Sequence, residues 1–182
     1  MNQYKERIMS LLEGITGIKI GNISLENLSE LKHVGHLANC AVTEEVTKYF
    51  VQWLTGNPEL VAAVSRRSMS ANGHDVDLPE YNTIAEIKAN DPVGGNRLSG
   101  SQGYHIREDF KKMWAETNKY KFMVLQDIGE IREAFSALTR NKEFKWPYEI
   151  LDFKPDHFET DRIYVLFLGK PIQFKNADFR GI

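Results

Sequence analysis

Asp75, Asp77, Glu86 and Lys88 are the residues of this chain whose types and spacing could do chemistry. They stand in the segment His74-Asp75-Val76-Asp77-Leu78, Pro79-Glu80-Tyr81-Asn82, Thr83-Ile84-Ala85-Glu86-Ile87-Lys88-Ala89. Alternating apolar and polar residues predict two strands, His74 to Leu78 and Thr83 to Ala89, joined by turn residues from Pro79 to Asn82. A four-residue loop pairs Leu78 with Thr83, Asp77 with Ile84 and Asp75 with Glu86. Cross-strand partners share a face and successive side chains alternate. One face then carries Val76, Leu78, Ala85, Ile87 and Ala89. The other carries Asp75, Asp77, Glu86 and Lys88, with Ile84 the one apolar member.

Two carboxylates converging on one point repel each other unless a cation lies between them. Mg²⁺ takes oxygen ligands, is held by one or two carboxylates and keeps positions for substrate phosphates. Such an ion polarises a phosphoryl oxygen and acidifies water. Lys88, two residues beyond Glu86, points the same way. It could orient or deprotonate the attacking water, or stabilise developing negative charge. Two acids and a lysine suit hydrolysis of a phosphodiester. The same alternation also describes the solvated face of an amphipathic hairpin, in which Glu86 and Lys88 form a surface pair worth little.

The surrounding elements argue for an interior position. A helix is predicted from about Leu37 to Leu54, with Val42, Val46, Tyr49, Phe50 and Trp53 as its apolar stripe and Gly56-Asn57-Pro58 as its stop. A short helix follows, Glu59 to Ser65. Beyond the hairpin come a glycine-rich loop, Asp91 to Gly103, a helix from about Tyr104 to Thr117, an apolar strand Lys121 to Gln126, a helix Ile128 to Leu138 and a second apolar strand Arg162 to Leu168. Ile172 to Phe174 could return as an edge strand. Continuous apolar strands are buried ones, so the charged strand before them has neighbours, and charges there are costly without partners. The order predicts an α/β domain with a mixed sheet flanked by helices, spanning 1–182, with about 1–70 mainly helical and 71–182 carrying the sheet.

Bulk properties set bounds. The chain has 182 residues, 42% hydrophobic and 26% charged, which is globular composition. Its formal charge is -2, from 23 Lys plus Arg against 25 Asp plus Glu. A nucleic-acid surface must therefore be local. The single cysteine, Cys40, forms no intramolecular disulfide, and no stretch approaches the ~20 apolar residues that cross a bilayer. The expectation is a cytoplasmic protein without a membrane partner.

Asp77, eight intervening residues and then Glu86-Ile87-Lys88 resemble the PD-(D/E)xK nuclease superfamily, specifically its type II restriction-endonuclease-like branch. The resemblance covers about 15 residues in its motif, and a compatible element order extends over about 35–175. It implies a restriction-endonuclease-like mixed sheet, Asp77 and Glu86 as ligands of Mg²⁺ (or Mn²⁺), and Lys88 as the group that handles the water or the charge. Val76 stands where the family carries proline, so Asp75, on the same face, is a rival first ligand. Family members often add a glutamate from the first core helix, which here is Glu45 or Glu44; a solvated pair is the other reading. Gln102 is similar to polar residues that orient site waters. Arg97, His105, Arg107, Lys111 and Lys112 are candidates for phosphate contacts, although Arg107, Lys111 and Lys112 equally suit a solvated helix face. His33 and His36 complete no zinc set.

The expected function is a Mg²⁺-dependent endonuclease cutting double-stranded DNA by in-line attack of water on phosphorus, plausibly as a homodimer. Two alternatives stand beside it: an inactive module of the same fold that binds DNA or protein in a DNA-processing complex, and a repair or recombination nuclease acting on structured DNA.

Overall fold

The computed structural model describes residues 40, 42–64, 73–89, 98, 100–127 and 130–169. The chain divides into two units, 1–40 and 41–182, and the elements below belong to the second. Helix α1 covers 42–55. Val46, Phe50 and Leu54 recur every four residues and are buried together with Val51, giving the stripe that anchors the helix. Tyr49, expected in that stripe, is exposed, and Val51 takes its place. Gly56 ends the helix at φ 66, a left-handed conformation that costs glycine nothing. Asn57 then caps α2 (Pro58–Val64), its Oδ1 accepting from the N–H groups of Glu59 at 3.0 Å and Leu60 at 3.3 Å.

The sheet has five strands: β1 (Val76–Leu78), β2 (Thr83–Lys88), β3 (Tyr120–Asp127), β4 (Tyr148–Leu151) and β5 (Ile163–Gly169). Their spatial order is β1-β2-β3-β5-β4. β1 is antiparallel to β2, and the other pairings are parallel. Helices α3 (Gly100–Ala115) and α4 (Ile131–Thr139) make the crossovers that parallel neighbours require. The expected α/β class with a mixed sheet flanked by helices is therefore observed.

Alternation along the strands separates two cores. Val76, Leu78, Ala85, Ile87, Phe122, Val124, Tyr164 and Leu166 pack with α1. Ile84, Met123, Leu125, Ile163 and Val165 face the other way and pack with Ile106, Phe110 and Met113 of α3 and Ile131 and Phe135 of α4. The result is a sheet between two helical layers. At Gly103 a Cβ would lie 3.3 Å from Leu138 Cδ1, so α3 and α4 approach closely there. Lys121, buried at the start of β3, donates to the carbonyls of Lys119 and Thr160 and ties that strand to the segment before β5.

Several boundaries differ from the sequence expectation. Helix α3 begins at Gly100, taking in residues assigned to the glycine-rich loop. β4 was not anticipated, because it is a four-residue edge strand with three exposed side chains and no buried alternation. The possible return strand Ile172 to Phe174, His33 and His36, and Arg97 lie outside the described residues.

Phe122 is fully buried on β3, with its ring centroid 5.3 Å from Phe50, 5.0 Å from Phe158 and 5.6 Å from Tyr164. Replacing it by alanine should cost roughly 3–5 kcal/mol, from lost burial plus the cavity left behind. Urea unfolding followed by circular dichroism checks this, and a loss below about 1 kcal/mol would be incompatible with the packing described.

Candidate active site

The hairpin sets the site's geometry. Pro79–Tyr81 forms one turn of 3-10 helix, and Asn82 closes it at φ 50, a conformation asparagine tolerates. That connection fixes the register as Leu78 opposite Thr83, Asp77 opposite Ile84 and Val76 opposite Ala85, as the loop length predicts. Continued by one residue, the same register brings Asp75 opposite Glu86. Asp75 Oδ2 accepts a 2.8 Å hydrogen bond from the Ile87 N–H, which holds the carboxylate against β2.

Glu86 is only 3% exposed. Its Oε1 has two nitrogen neighbours, His74 Nδ1 at 2.8 Å and the Lys112 ammonium Nζ at 2.7 Å. The imidazole proton lies on Nδ1 in this pair, since a carboxylate can only accept. His74 comes from the segment entering β1 and Lys112 from α3, so three elements meet at one oxygen. Burial alone would push the Glu86 carboxyl up, but the hydrogen bonds from His74 and Lys112 and the charges of Lys112 and Lys88 outweigh it and hold the group below its ordinary range. Asp75 goes the other way. Burial raises it, the Ile87 N–H opposes, and the like charge of Glu86 and a hydrogen-bonding contact with that carboxyl add to the rise.

Lys88 ends β2, with its Nζ 2.7 Å from Asp109 Oδ2 on α3. Burial works against the ammonium, yet Asp109, Asp75 and Glu86 together hold its pKa above the ordinary lysine value. Asp109 is raised by burial, with the pull of Lys88 set partly against the repulsion of Glu86. Three acids around one lysine account for the rise of Lys88, while burial, only partly offset by that lysine, accounts for the rise of Asp109. Lys88 is therefore a fixed positive charge at neutral pH.

Of the residues singled out in the sequence, Asp75, Glu86, Lys88 and Lys112 come together. Asp77 lies on the same face of the hairpin, opposite Ile84. It sits one strand repeat away, ~7 Å along the backbone, is 46% exposed and has Lys119 Nζ 3.5 Å from its Oδ1. Glu45 is exposed on α1 and bonds to Lys48 at 2.8 Å, as does Glu44. Gln102 and His105 line a cavity of about 240 Å³ together with Lys88, Leu98, Ile106 and Ile131. Lys111 is exposed beside Glu108, and Arg107 is half-buried. Lys112, a candidate for phosphate contact, instead bonds to Glu86 and to the Gly73 carbonyl.

His74 and Asp109 were missed. The signal for Asp109 lay in helical spacing: Gln102, His105, Asp109 and Lys112 recur at three, four and three residues and share one face of α3. His74 gave no signal, because it precedes β1 and its partner Glu86 lies 12 residues further on, outside the paired register.

Among the described residues no three His, Cys, Asp or Glu side chains gather into a set ready for a metal ion. Glu86 and Asp109 each face a lysine instead. The donor chemistry still suits a hard divalent cation, since the hairpin register sets the carboxylates of Asp75 and Glu86 opposite each other and such an ion would relieve their repulsion.

Asp109→Ala would leave the largely buried Lys88 ammonium without its closest partner, and roughly 3 kcal/mol of unfolding free energy should go with it. Lys111→Ala removes an exposed pair and should stay within about 0.5 kcal/mol. Equal losses in thermal or urea unfolding would mean that the Lys88–Asp109 pair is not the buried contact described.

No helix among the described residues is long and apolar enough to cross a membrane. No protein-family model, curated protein or solved structure matches this chain.

Proposed function

We propose that the chain is a metal-dependent phosphodiesterase that cuts DNA, with a restriction-endonuclease-like arrangement of its site. The observation that carries this reading is the meeting of Glu86 and Lys88, on one face of the interior strand β2, with Asp75 from the residue before β1, in a place where charge is too costly to be incidental. In this reading Asp75 and Glu86 hold Mg²⁺ or Mn²⁺, which supplies polarisation of the scissile phosphate and acidification of water. Of the two rivals, Asp75 is assigned as the first ligand here, because the hairpin register sets it opposite Glu86 and Asp77 opposite Ile84.

The remaining work belongs to side chains of the chain itself. The Lys88 ammonium, kept charged by Asp109, neutralises negative charge growing on the phosphoryl oxygens. Preorganised positive charge of this kind needs no rearrangement during the reaction. His74 fixes the orientation of Glu86 from the side opposite the solvent. The mouth beside Lys88, lined by Gln102 and His105, offers polar groups to the nucleotide next to the cut. Arg107 and Lys111, on the same helix, suit backbone phosphates. Cutting both strands of a duplex would call for two copies of the chain.

The pairing of Glu86 and Asp109 with lysines favours one rival, a module of the same fold that binds DNA or protein without catalysis. It needs no metal, so its binding would be indifferent to chelators.

Purified protein with Mg²⁺ should nick or linearise supercoiled plasmid, and chelation should stop it. Lys88→Ala should lower the rate by about 10²–10³-fold. Asp75→Asn should match it, whereas Asp77→Asn should stay within about tenfold of wild type, a gap of over one factor of ten in transition-state terms. Gel assays of initial rates decide. If Lys88→Ala cuts as well as wild type the catalytic reading fails, and if Asp77→Asn is the more damaging of the two aspartate variants the ligand assignment fails.

A further inference from the structure

We propose that Lys112 is a tethered counter-ion that holds Glu86 while no metal is bound and is displaced when a divalent ion enters. This rests on the metal-site reading above. Glu86 Oε1 has two nitrogen partners at once, the imidazole of His74 through Nδ1 at 2.8 Å and the ammonium of Lys112 at 2.7 Å. The two differ in how firmly they are held. His74 is 7% exposed, lies at the entry to β1 and has Glu116 Oε1 3.8 Å from its other ring nitrogen. Lys112 is 41% exposed, on the solvent-facing border of α3, at the end of a four-carbon stem with many rotamers. Its other bond is to the Gly73 carbonyl, which water can satisfy in its place. Lys112 can therefore leave without stranding a buried group, and His74 cannot.

A divalent ion between Asp75 and Glu86 would stand within a few ångströms of the Lys112 ammonium, where like charges repel strongly. Once displaced, the ammonium stays leashed to α3 beside the site, where incoming phosphate would draw it. Lys112 is thus a positioning residue for Glu86 before metal binding, and its removal should make metal binding easier.

The test uses the full chain without DNA. Isothermal titration with Mn²⁺ is compared for wild type, Lys112→Met, Lys112→Gln and Glu86→Gln, with thermal unfolding measured with and without the ion. Lys112→Met should bind Mn²⁺ about tenfold more tightly or better, since one competing positive charge has gone. Its melting temperature without metal should fall, and its gain on adding Mn²⁺ should exceed the wild-type gain. Lys112→Gln keeps a donor for the Gly73 carbonyl and serves if the methionine variant does not fold. Unchanged or weaker binding in the Lys112 variants, with Glu86→Gln abolishing it, would overturn the counter-ion role and leave the metal reading standing. Absence of Mn²⁺ binding in every protein, wild type included, would remove both.

Discussion

A carboxylate on an interior strand must have a positive partner, and the positions of β1, β2 and α3 all answer to that constraint at Glu86. Taking the charge out of water costs several kcal/mol, and attraction to well-placed cations has to return it. Lys112 supplies that charge from α3, and His74 adds a hydrogen bond from the segment entering β1. The turn from Pro79 to Asn82 matters for the same reason. Lengthened by one residue, it would flip the pleat of β2 relative to β1 and send Glu86 into the apolar core under α1.

Helix α3 carries two stripes side by side. Gly103, Ile106, Phe110 and Met113 pack on the sheet and α4. Gln102, His105, Asp109 and Lys112 lie along the border of that packing. The crossover from β2 to β3 runs α3 back along β2, so the polar stripe meets the strand in reverse order: Lys112 over Glu86, Asp109 over Lys88, and Gln102 with His105 beyond the strand's end. Apolar packing sets the helix register, and the register sets which charges meet. The open end of this arrangement lies at the carboxyl end of β2, the side of an α/β sheet where ligands bind.

How much of this could be read in the sequence depended on which physical rule decided each feature. The hairpin register was legible because loop length and period-two alternation determine it locally. The two buried parallel strands were legible from their apolar runs. β4 was not, because four residues on an edge, three of them exposed, leave no periodic signal. The motif spacing favoured Asp77, while the register already placed Asp75 opposite Glu86; the motif counts residues, and contact depends on which ones the pleat brings together. Glu45 could not be placed from sequence, because a helix tells which residues share a face but not whether that face reaches the sheet. Lys112 equally suited a solvated helix face and Asp109 was not singled out, and only the crossover geometry turns them toward β2. His74 depends entirely on long-range contact.

The charge balance at the site bears on how metal and substrate would enter. Leaving His74 aside, three carboxylates, Asp75, Glu86 and Asp109, face two ammonium groups, Lys88 and Lys112. One negative charge is left over, which is tolerable in a partly buried site. A divalent ion would turn that into one excess positive charge, and a phosphodiester would cancel it. Neither the ion alone nor the phosphate alone leaves the site neutral, while the two together do. In a region of low dielectric that difference is strongly felt, so on the proposed reading metal and DNA would each strengthen the binding of the other, and the displaced ammonium would remain nearby to share the phosphate's charge.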